Sequence, residues 1–353
     1  MTNPKYLLVG SIEAYTGKSA TILGMADRLL QAGVDLAYGK PLGTCFSDDT
    51  DTDEDVQFLP QLLGLSADRV RGPLVALRPH TVRSRLQGKD TTDYGRSLVE
   101  SMAVTDADVV LLEGPGTLDE GCAFGLALPQ MAATLDAKVV LVVRDREAFT
   151  VDPLLCAREQ LGDRLLGAVI NDIPPVALDE MKGVIQPFLE ERGIPILALM
   201  PSSPILRGIS VAELVRQLKA DILCCDDRQD LMVETLQIGA MSVNAAVKYF
   251  SGARNMAVVT GGDRYDIQLA ALEASTHCLI LTGRLKPLPK VLDRAREMEI
   301  PVLSVDLNTL ETVEIIDSSF GQVRLQEPIK VECVKQMTAE YFDVDRLRAL
   351  LSQ

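Results

Sequence analysis

The 353-residue sequence lacks several features that mark large classes of protein. Its seven cysteines include no CxxC pair, so neither a zinc site nor a disulfide framework is indicated. No apolar run approaches the roughly 20 residues that a membrane span requires, and the short run at the amino terminus is broken at Gly10. These absences predict a cytoplasmic protein with no membrane partner.

Basic residues are scarce as well. Lys and Arg total 35 against 50 Asp and Glu, which gives a formal net charge of -15. Such a surface repels phosphate backbones, so we expect no nucleic-acid partner. Hydrophobic residues make up 47% of the chain and charged residues 24%, as in ordinary folded proteins, and the length favours two domains.

Short apolar segments alternate with amphipathic segments from residue 5 to about residue 200. Six of them read as strands: YLLVGS, LAYGKP, DVVLLEG, AKVVLVV, LLGAVIN and IPILALMP. Near-continuous apolar strands separated by helical patterns predict a parallel sheet with helices on both faces. Ligands of such sheets bind at the carboxyl ends of the strands.

A second, smaller α/β series follows an interruption at residues 200–210, where Pro201, Pro204 and Gly208 predict a connection between domains. The strands of this series are expected in ADILCC, NMAVVTGG, HCLILTG and IPVLSVD, and the helices in SVNAAVKYFSG, DRYDIQLAALEAS and KVLDRAREME. The chain is therefore predicted to consist of a first domain at 1–205, a second domain at 206–320 and a carboxy-terminal helical extension at 321–353.

The carboxy-terminal extension has a pattern of its own. Its GQVRLQ segment predicts a strand, and KVECVKQMTAEYF and VDRLRALLSQ predict helices. We expect the last helix to dock on the second domain or on a partner subunit.

The loop EAYTGKS, residues 13–19, contains most parts of a phosphate-binding loop. Gly17 allows close approach of the backbone, the Lys18 ammonium suits outer phosphates, and the Ser19 hydroxyl suits magnesium. The usual GxxxxGKS/T spacing would place a glycine where this chain has Ile12, but a strand before the loop and an amphipathic helix after it favour a nucleotide loop over a plain turn. The predicted nucleotide-binding residues are Glu13, Tyr15, Thr16, Gly17, Lys18, Ser19, Ala20, Lys40 and Asn171.

Three polar residues follow other strands of the same predicted sheet. Glu113 is placed to hold magnesium directly or through water, with a capping or turn residue as the alternative. Lys40 aims a cation at a phosphate or a substrate carboxylate, or else is a surface cation. The Asn171 amide suits the edge of adenine, or else the residue forms a turn.

Six acidic residues fall in the eight positions from Asp48 to Asp55. Such a density of negative charge is costly in a folded loop unless a cation or a basic ligand neutralises part of it, and an exposed, solvated loop is the alternative. The predicted magnesium ligands are Ser19, Asp53, Asp55 and Glu113.

The second domain contains a candidate effector site. In VVTGGDRYDIQLAAL two glycines end a strand, and Asp263 is expected to cap the next helix, whose free N–H groups can hold an anion. The segment LTGRLKP likewise places a glycine after a predicted strand, with basic residues nearby. The candidate residues are Gly261, Gly262, Asp263, Arg264 and Arg284, with ordinary turn chemistry as the alternative.

Taken in order, these motifs resemble the dethiobiotin synthetase-like P-loop family and, more closely, the amino-terminal portion of long-form phosphate acetyltransferases. The resemblance extends to about residue 316. In the first domain it rests on EAYTGKS, GKPLG, DEDVQFLPQLLGL, LLEGPG, GAVINDIPP and ALMPSSPILRG. In the second domain, VETLQIGAMSVNAAVKYF, VVTGGDRYDIQLAAL and LILTGRLKPLPKVLDRAREMEIPVLSVDLNTLETVE resemble a DRTGG domain.

The resemblance implies an α/β P-loop NTPase domain with a parallel sheet, followed by a smaller α/β DRTGG-like domain. In the similar enzymes the acetyl-transfer site lies in a further carboxy-terminal domain, so we expect this chain not to be a phosphate acetyltransferase by itself. The resemblance instead implies an ATP-binding regulatory or sensor protein with Mg2+ as the metal. It also implies pairing through the second domain, as a homodimer or higher homo-oligomer. A metabolic enzyme is the expected partner, and whether ATP is slowly hydrolysed stays open.

Other relatives of the P-loop family imply other functions. An ATP-dependent carboxylase or ligase of the dethiobiotin synthetase type is the alternative, although the second domain is foreign to that small enzyme. Amidotransferase relatives need a Cys and His pair, and only His80 and His277 exist here. Partition-type ATPases carry a signature lysine where this chain has Glu13, whose charge would repel a phosphate.

Overall fold

The described residues of the computed structural model form two compact units. Unit 1 comprises the residues up to Ser202 and those from Val331 onward, and unit 2 runs from Ser203 to Lys330. The structure describes residues 5–44, 53–104, 106–321 and 327–352.

Unit 1 is built on a seven-stranded parallel sheet with the strand order β4-β2-β6-β1-β7-β8-β9. A separate short parallel pair joins β3 to β5. The strands are β1 (Lys5–Ser11), β2 (Leu36–Gly39), β3 (Leu42–Gly43), β4 (Val70–Arg71), β5 (Val75–Ala76), β6 (Val109–Glu113), β7 (Lys138–Arg144), β8 (Leu165–Ile173) and β9 (Ile196–Pro201). The predicted parallel sheet is confirmed, and each of its six predicted strands is present.

The central strands of this sheet are buried on both faces. Leu7, Leu8 and Val9 of β1 and the residues 139–143 of β7 are fully inaccessible to solvent. Apolar and β-branched residues on both faces are what a parallel sheet covered by helices requires. Because β1 lies between β6 and β7, the loops that follow these three strands share one edge of the sheet.

Helices follow most of the strands of unit 1. They are α1 (Lys18–Gln31), α2 (Glu54–Leu62), α3 (Pro79–Leu86), α4 (Tyr94–Met102), α5 (Leu128–Thr134), α6 (Val151–Leu161), α7 (Leu178–Glu180) and α8 (Gln186–Glu191), with a π-helical turn at Met181–Ile185 and 3-10 turns at Ala67–Arg69, Cys122–Phe124, Gly162–Arg164 and Pro175–Ala177. Gly33, just beyond α1, has a φ of 79°, as expected of a glycine that ends a helix. Across the ranges that the structure describes, no helix is long and apolar enough to cross a bilayer.

Unit 2 is a second α/β layer structure with a five-stranded sheet ordered β11-β16-β15-β14-β13. Its elements are α9 (Pro204–Arg207), β10 (Ile209–Ser210), α10 (Val211–Leu218), β11 (Asp221–Cys224), a 3-10 turn at Asp226–Arg228, β12 (Met232–Val233), β13 (Thr235–Ile238), α11 (Val243–Phe250), β14 (Met256–Gly261), α12 (Tyr265–Leu272), β15 (Thr276–Thr282), α13 (Pro289–Glu297), β16 (Val302–Val305) and α14 (Thr309–Ser319). The edge strand β11 is antiparallel to β16, the other neighbours are parallel, and β10 pairs with β12. The predicted smaller α/β series is confirmed.

The chain ends in two helices, α15 (Pro328–Tyr341) and α16 (Val344–Leu351). From Val331 onward they belong to unit 1, where Asp343 N donates to Leu197 O at 2.9 Å and the Arg346 guanidinium donates to Glu190 at 2.7 Å. We expected the last helix on the second domain or on a partner, but its contacts lie against β9 and α8 of unit 1. The segment 322–326 of the predicted strand GQVRLQ lies outside the described residues.

Candidate functional site

The loop between β1 and α1 presents backbone N–H groups at the edge of the sheet. Tyr15 and Gly17 have φ values of 59° and 87°, and such left-handed residues among right-handed ones turn successive N–H groups toward one concavity. The N–H of Thr21 bonds back to Gly17 O at 2.9 Å. The N–H groups of Gly17, Lys18 and Ser19 have no acceptor within the described part of the chain, so this loop is suited to an anion.

Two neighbouring residues support the same assignment. Thr16 is only 2% exposed, and its hydroxyl has no hydrogen-bond partner among the described residues. A buried hydroxyl beside free N–H groups is a donor for a ligand oxygen. Ile12, in the place of the usual glycine, packs against the hydrophobic core of unit 1, and Glu13 forms a 3.8 Å ion pair with Arg146.

Lys18 turns toward the loop that follows β6. Its Nζ donates to Gly114 O at 2.6 Å and to Pro115 O at 2.8 Å, and lies 3.9 Å from Glu113 Oε1. Burial lowers the pKa of Lys18, while the nearby Glu113 carboxylate opposes that shift. These two carbonyls use two of the three N–H donors of the ammonium.

Glu113 ends β6 directly beside the loop strand, since it pairs with Val9 in the register. Tyr38 Oη donates to its Oε2 at 2.9 Å, and Ser19 Oγ lies 3.4 Å from its Oε1. The residue is 2% exposed, and burial raises the pKa of its carboxyl, with the cation of Lys40 as the main opposing influence. Binding a divalent cation would offset this cost.

Lys40 lies among three carboxylates. Its Nζ is 2.9 Å from Asp53 Oδ1, 2.5 Å from Asp55 Oδ2 and 3.9 Å from Glu113 Oε1. Asp53 also caps α2 by accepting from Asp55 N at 3.1 Å. The predicted ligands Asp53 and Asp55 thus have a cationic partner from the chain itself, while the rest of the acidic run, Asp48 to Thr52, lies outside the described residues.

The structure therefore gathers Ser19, Asp53, Asp55 and Glu113 around two lysines. Within the described ranges, no group of three or more His, Cys, Asp or Glu side chains is arranged to hold a metal ion unaided. Magnesium commonly takes one or two protein oxygens and completes its shell with phosphate oxygens and water. The oxygens of Ser19 and Glu113 fit that mode, whereas they do not fit a metal site made only of protein ligands.

The structure gives Asn171 a partner that the sequence did not indicate. Its Nδ2 donates to Thr16 O at 2.9 Å, so the amide contacts the loop between β1 and α1, and its contact with an adenine edge stays a prediction. Arg144 makes a similar contact with Tyr15 O at 2.7 Å. Ala20, in the first turn of α1, is half-buried.

Sequence reasoning missed Arg144 and Tyr38. Arg144 is the last residue of β7, so the rule that ligands bind at strand ends could have identified it. Tyr38 stands two residues before Lys40, and alternate residues of a strand share a face. A polar side chain at that spacing inside an apolar strand was the available signal.

The five candidate effector residues lie at the carboxyl ends of β14 and β15 in unit 2. The prediction that Asp263 caps α12 was wrong, since the helix begins at Tyr265 and its N-cap is Arg264. A turn closed by the hydrogen bond from Arg264 N to Gly261 O precedes the helix. Arg264 donates to Met241 O at 2.7 Å, and Arg284 pairs with Asp306. These internal partners suit the turn alternative, and the effector site stays a prediction.

Two domain families match the chain. Residues 5–210, more than half of it, match a family described as AAA domain, and residues 213–319 match the DRTGG domain. Together with the sheet of unit 1, these matches confirm the expected P-loop and DRTGG-like domains.

Curated relatives named phosphate acetyltransferase resemble almost the whole chain. The relatives from Nitratidesulfovibrio vulgaris and Deinococcus radiodurans are each 25% identical, over 370 and 372 residues, and each alignment covers 98% of this chain and 51% of the relative. The chain therefore spans about half the length of the curated relatives it matches. This finding confirms the resemblance to that enzyme group.

A solved structure resembles part of the chain. It contains the CBS and DRTGG domains of the regulatory region of Clostridium perfringens pyrophosphatase complexed with its activator, diadenosine tetraphosphate. The match covers 49% of this chain and 86% of the other, with 17% identity and a TM-score of 0.30. A score this low supports no conclusion about function.

Proposed function

Since the chain belongs to the AAA domain family over residues 5–210 and carries a DRTGG domain over residues 213–319, we propose that it is an ATP-binding regulatory protein. The observation that carries the proposal is the set of N–H groups of Gly17, Lys18 and Ser19, which have no acceptor within the described part of the chain. The buried hydroxyl of Thr16 and the half-buried ammonium of Lys18 lie beside them. Such a group of donors binds the triphosphate of ATP.

In the proposed complex, the residues around the loop contact different parts of the magnesium–ATP ligand. The N–H groups and Lys18 contact the phosphates, and Ser19 and Glu113 hold Mg2+ together with phosphate oxygens. The metal neutralises part of the charge of the triphosphate. Glu113 is held in place for this role by Tyr38, which donates to the carboxylate oxygen farther from Ser19.

The charge of the site makes binding depend on magnesium. Two ammonium groups and three carboxylates form ion pairs of 3.9 Å or less in this site. Carboxylates therefore outnumber ammonium groups by one. The residues are Lys18, Lys40, Asp53, Asp55 and Glu113. A bare triphosphate adds negative charge to a partly buried, negative site, whereas its magnesium complex adds much less. ATP is therefore expected to bind more tightly with magnesium than without it.

Two observations favour a regulatory role over a ligase: the presence of the second domain and the surroundings of Lys40. A ligase of the dethiobiotin synthetase type would use Lys40 toward a substrate, but this ammonium is 1% exposed and already pairs with Asp53 and Asp55. We propose that ATP binding changes how unit 2 pairs with a second copy or with a metabolic enzyme that handles acyl phosphates. The cytoplasm is the proposed location.

A thermal titration tests the proposal. Because a ligand that binds only the native state stabilises it, ATP at 100 times its Kd should contribute about 2.7 kcal/mol, or roughly 5 to 10 °C in the Tm of a domain of this size. The shift should be larger with magnesium than with EDTA. No shift at millimolar ATP under either condition would contradict ATP binding.

A turnover assay separates the regulatory proposal from the ligase alternative. Purified protein is incubated with Mg-ATP alone and with Mg-ATP, a diamine and bicarbonate, and ADP is measured. We expect slow release at most, unchanged by the added substrates. ADP formation that requires both the diamine and bicarbonate would establish the ligase instead.

A further inference from the structure

Unit 2 contains two adjacent cysteines at the end of its edge strand. Cys224 is the last residue of β11, and Cys225 follows it as the N-cap of the 3-10 turn at Asp226–Arg228. Both carry free thiols, of which Cys224 is buried and Cys225 is half-buried. No other two cysteines of the sequence are adjacent, so this pair is distinct from the scattered cysteines.

The two thiol groups contact the same segment of unit 2. Consecutive residues of a regular strand place their side chains on opposite faces of the sheet. Here, however, Cys224 Sγ donates to Ile300 O at 3.9 Å, and Cys225 Sγ donates to Ala295 O at 3.8 Å. Both carbonyls lie where α13 ends and the chain turns toward β16. The two sulfur atoms therefore lie on one side of the strand.

The backbone of this segment departs from a regular strand in two ways. The register of β11 against β16 shifts between Ile222 and Cys224. Cys225 has a φ of 56° and a ψ of 47°, a left-handed conformation that is uncommon in residues other than glycine, asparagine and aspartate. A bulge redirects side chains, and a left-handed cysteine persists only where its surroundings enforce it. These two features explain how adjacent thiols reach the same segment.

The two thiols differ in their access to solvent. Burial raises the pKa of the Cys224 thiol to about 11, and the neighbouring Cys225 thiol adds to the shift. Since the thiolate is the nucleophile, Cys224 reacts poorly with a reagent in solution. Cys225 is the thiol that a small reagent reaches first, and Cys224 is placed to react with whatever forms on Cys225.

We propose that Cys224 and Cys225 form a reversible redox site, which a low-molecular-weight disulfide such as oxidised glutathione converts into a disulfide between the two residues. The Cys225 thiolate attacks the reagent RSSR, and a mixed disulfide forms as one RS⁻ leaves. The Cys224 thiolate then attacks the Cys225 sulfur and displaces the second RS⁻. The two cysteine protons pass to the released thiolates, so that RSSR is reduced to two RSH while the pair is oxidised.

The proposed disulfide is easy to reduce. Consecutive Cα atoms are about 3.8 Å apart across a trans peptide, whereas disulfides usually join Cα atoms about 4.4 to 6.8 Å apart. The resulting strain makes the bond more reducible, as in disulfides that respond to the redox state of the cytosol. Oxidation also removes both S–H donors from Ile300 O and Ala295 O, so the end of α13 loses two contacts.

A mass measurement on the full chain tests the inference. The protein is equilibrated with different ratios of reduced to oxidised glutathione, its remaining thiols are alkylated, and it is digested with trypsin. Cleavage after Lys219 and Arg228 gives a peptide that contains both cysteines of the pair and no other. With oxidised glutathione in excess, we expect this peptide to lose two hydrogen atoms and to carry no alkyl group. Excess reduced glutathione should restore the peptide with two alkyl groups.

Two controls separate this pair from ordinary thiols. The tryptic peptide at 147–158 contains the exposed Cys156 alone, so it should gain glutathione but never lose two hydrogen atoms. The wild-type chain unfolded in urea keeps the two cysteines adjacent but no longer enforces the left-handed Cys225. Its yield of the internal disulfide should be clearly lower than that of the folded chain.

Hydrogen exchange tests the effect on α13. Amide exchange in the segment 295–300 should be faster in the oxidised chain than in the reduced chain, because two donors are lost. Cys225→Ser cannot form the disulfide, so oxidised glutathione should leave the exchange of this segment unchanged in that variant. Equal exchange in oxidised and reduced wild-type chains would refute the proposed effect on α13.

Three results of the mass measurement would overturn the redox site itself. The first is a peptide that appears only with two alkyl groups, or with glutathione on Cys225, at every ratio. The second is an equal yield of disulfide in the folded and unfolded chains, because adjacency in the sequence would then suffice. The third is a disulfide that excess reduced glutathione does not open. None of these results depends on whether the chain binds ATP, so the proposed function is tested separately.

Discussion

At the scale of single residues, the candidate site is a balance between burial and charge. Lys40 and Glu113 are almost fully buried and Lys18 is half-buried, and each is paired with groups of opposite charge or with polar atoms. Burial lowers the pKa of Lys18 and raises that of Glu113. Both shifts disfavour the charged forms, so a ligand that brings a divalent cation and an anion relieves both.

Tyr38 stabilises the charged form of Glu113, because its hydroxyl donates to the carboxylate at 2.9 Å, and a substitution there tests the role of that carboxylate. For Tyr38→Phe, we expect the affinity for ATP with magnesium to fall about tenfold, because a buried carboxylate loses its donor. The affinity for ATP in EDTA should hardly change. Calorimetric titration under the two conditions measures the difference.

The same variant should alter a pH profile. The pKa of Glu113 is raised above its ordinary value of 4.5. As the pH falls, the carboxylate is therefore protonated at a pH above that value, and its contribution to magnesium binding is lost there. The Tyr38 bond lowers the pKa of Glu113, and its removal should move the loss to still higher pH. Tyr249→Phe, an exposed tyrosine of unit 2, is the control. Equal effects with and without magnesium would contradict the role given to Tyr38.

The sequence predicted which residues stand at the strand ends, but not what they contact. Glu113, Lys40 and Asn171 were identified because parallel strands deliver their carboxyl ends to one edge. The pairing of Lys40 with Asp53 and the contact of Asn171 with Thr16 depend on three-dimensional packing, which no local pattern encodes.

At the scale of helices and strands, the carboxy-terminal helix α15 packs closely on α1. A Cβ added to Gly24 would lie 2.0 Å from Thr338 Oγ1 and 2.8 Å from Thr338 Cβ. Thr338 is buried, and its hydroxyl bonds to Val334 O at 2.8 Å. Glycine in the middle of α1 therefore serves close packing between two helices that are distant in the sequence.

Two glycine substitutions test this packing. Helix propensity alone predicts that Gly24→Ala stabilises the protein by up to about 1 kcal/mol, whereas overpacking costs about 1 to 3 kcal/mol. We expect overpacking to dominate, with a lower free energy of unfolding in urea. Gly183→Ala is the matched control, since a Cβ there meets nothing within 4 Å, and it should be neutral or stabilising.

A double variant completes this test. Adding Thr338→Ala to Gly24→Ala removes Oγ1, the atom nearest to the new methyl group, and keeps the Cβ at 2.8 Å, so the overlap is reduced and the two free-energy changes should not be additive. If Gly24→Ala alone raises the free energy of unfolding, the described packing of α15 on α1 is incorrect.

The existence of most elements followed from hydrophobic periodicity, because a buried strand and an amphipathic helix leave different patterns. Features set by tertiary structure did not follow. The cap of α12 falls at Arg264 and not at Asp263, and the edge strand β11 is antiparallel. Leu347 of α16 is fully buried, but the sequence pattern predicts only its burial and not the residues against which it packs.

At the scale of the whole molecule, the chain combines an AAA domain with a DRTGG domain and spans about half the length of its curated relatives. Its net charge of -15 makes an anionic ligand an unexpected choice unless the ligand carries its own cation. The local carboxylates and the overall charge both support the proposed preference for the magnesium complex of ATP. The domain boundaries predicted at residues 205 and 320 remain a proposal beside the two observed units.

Lys18 supplies the cation of the proposed ATP site. Calorimetric titration of Mg-ATP into the wild-type chain, Lys18→Ala and the exposed control Lys182→Ala tests that claim. Loss of a charge-assisted bond should raise the Kd of Lys18→Ala at least roughly tenfold, while the control matches the wild type. A Kd for Lys18→Ala equal to that of the wild type would contradict the central claim.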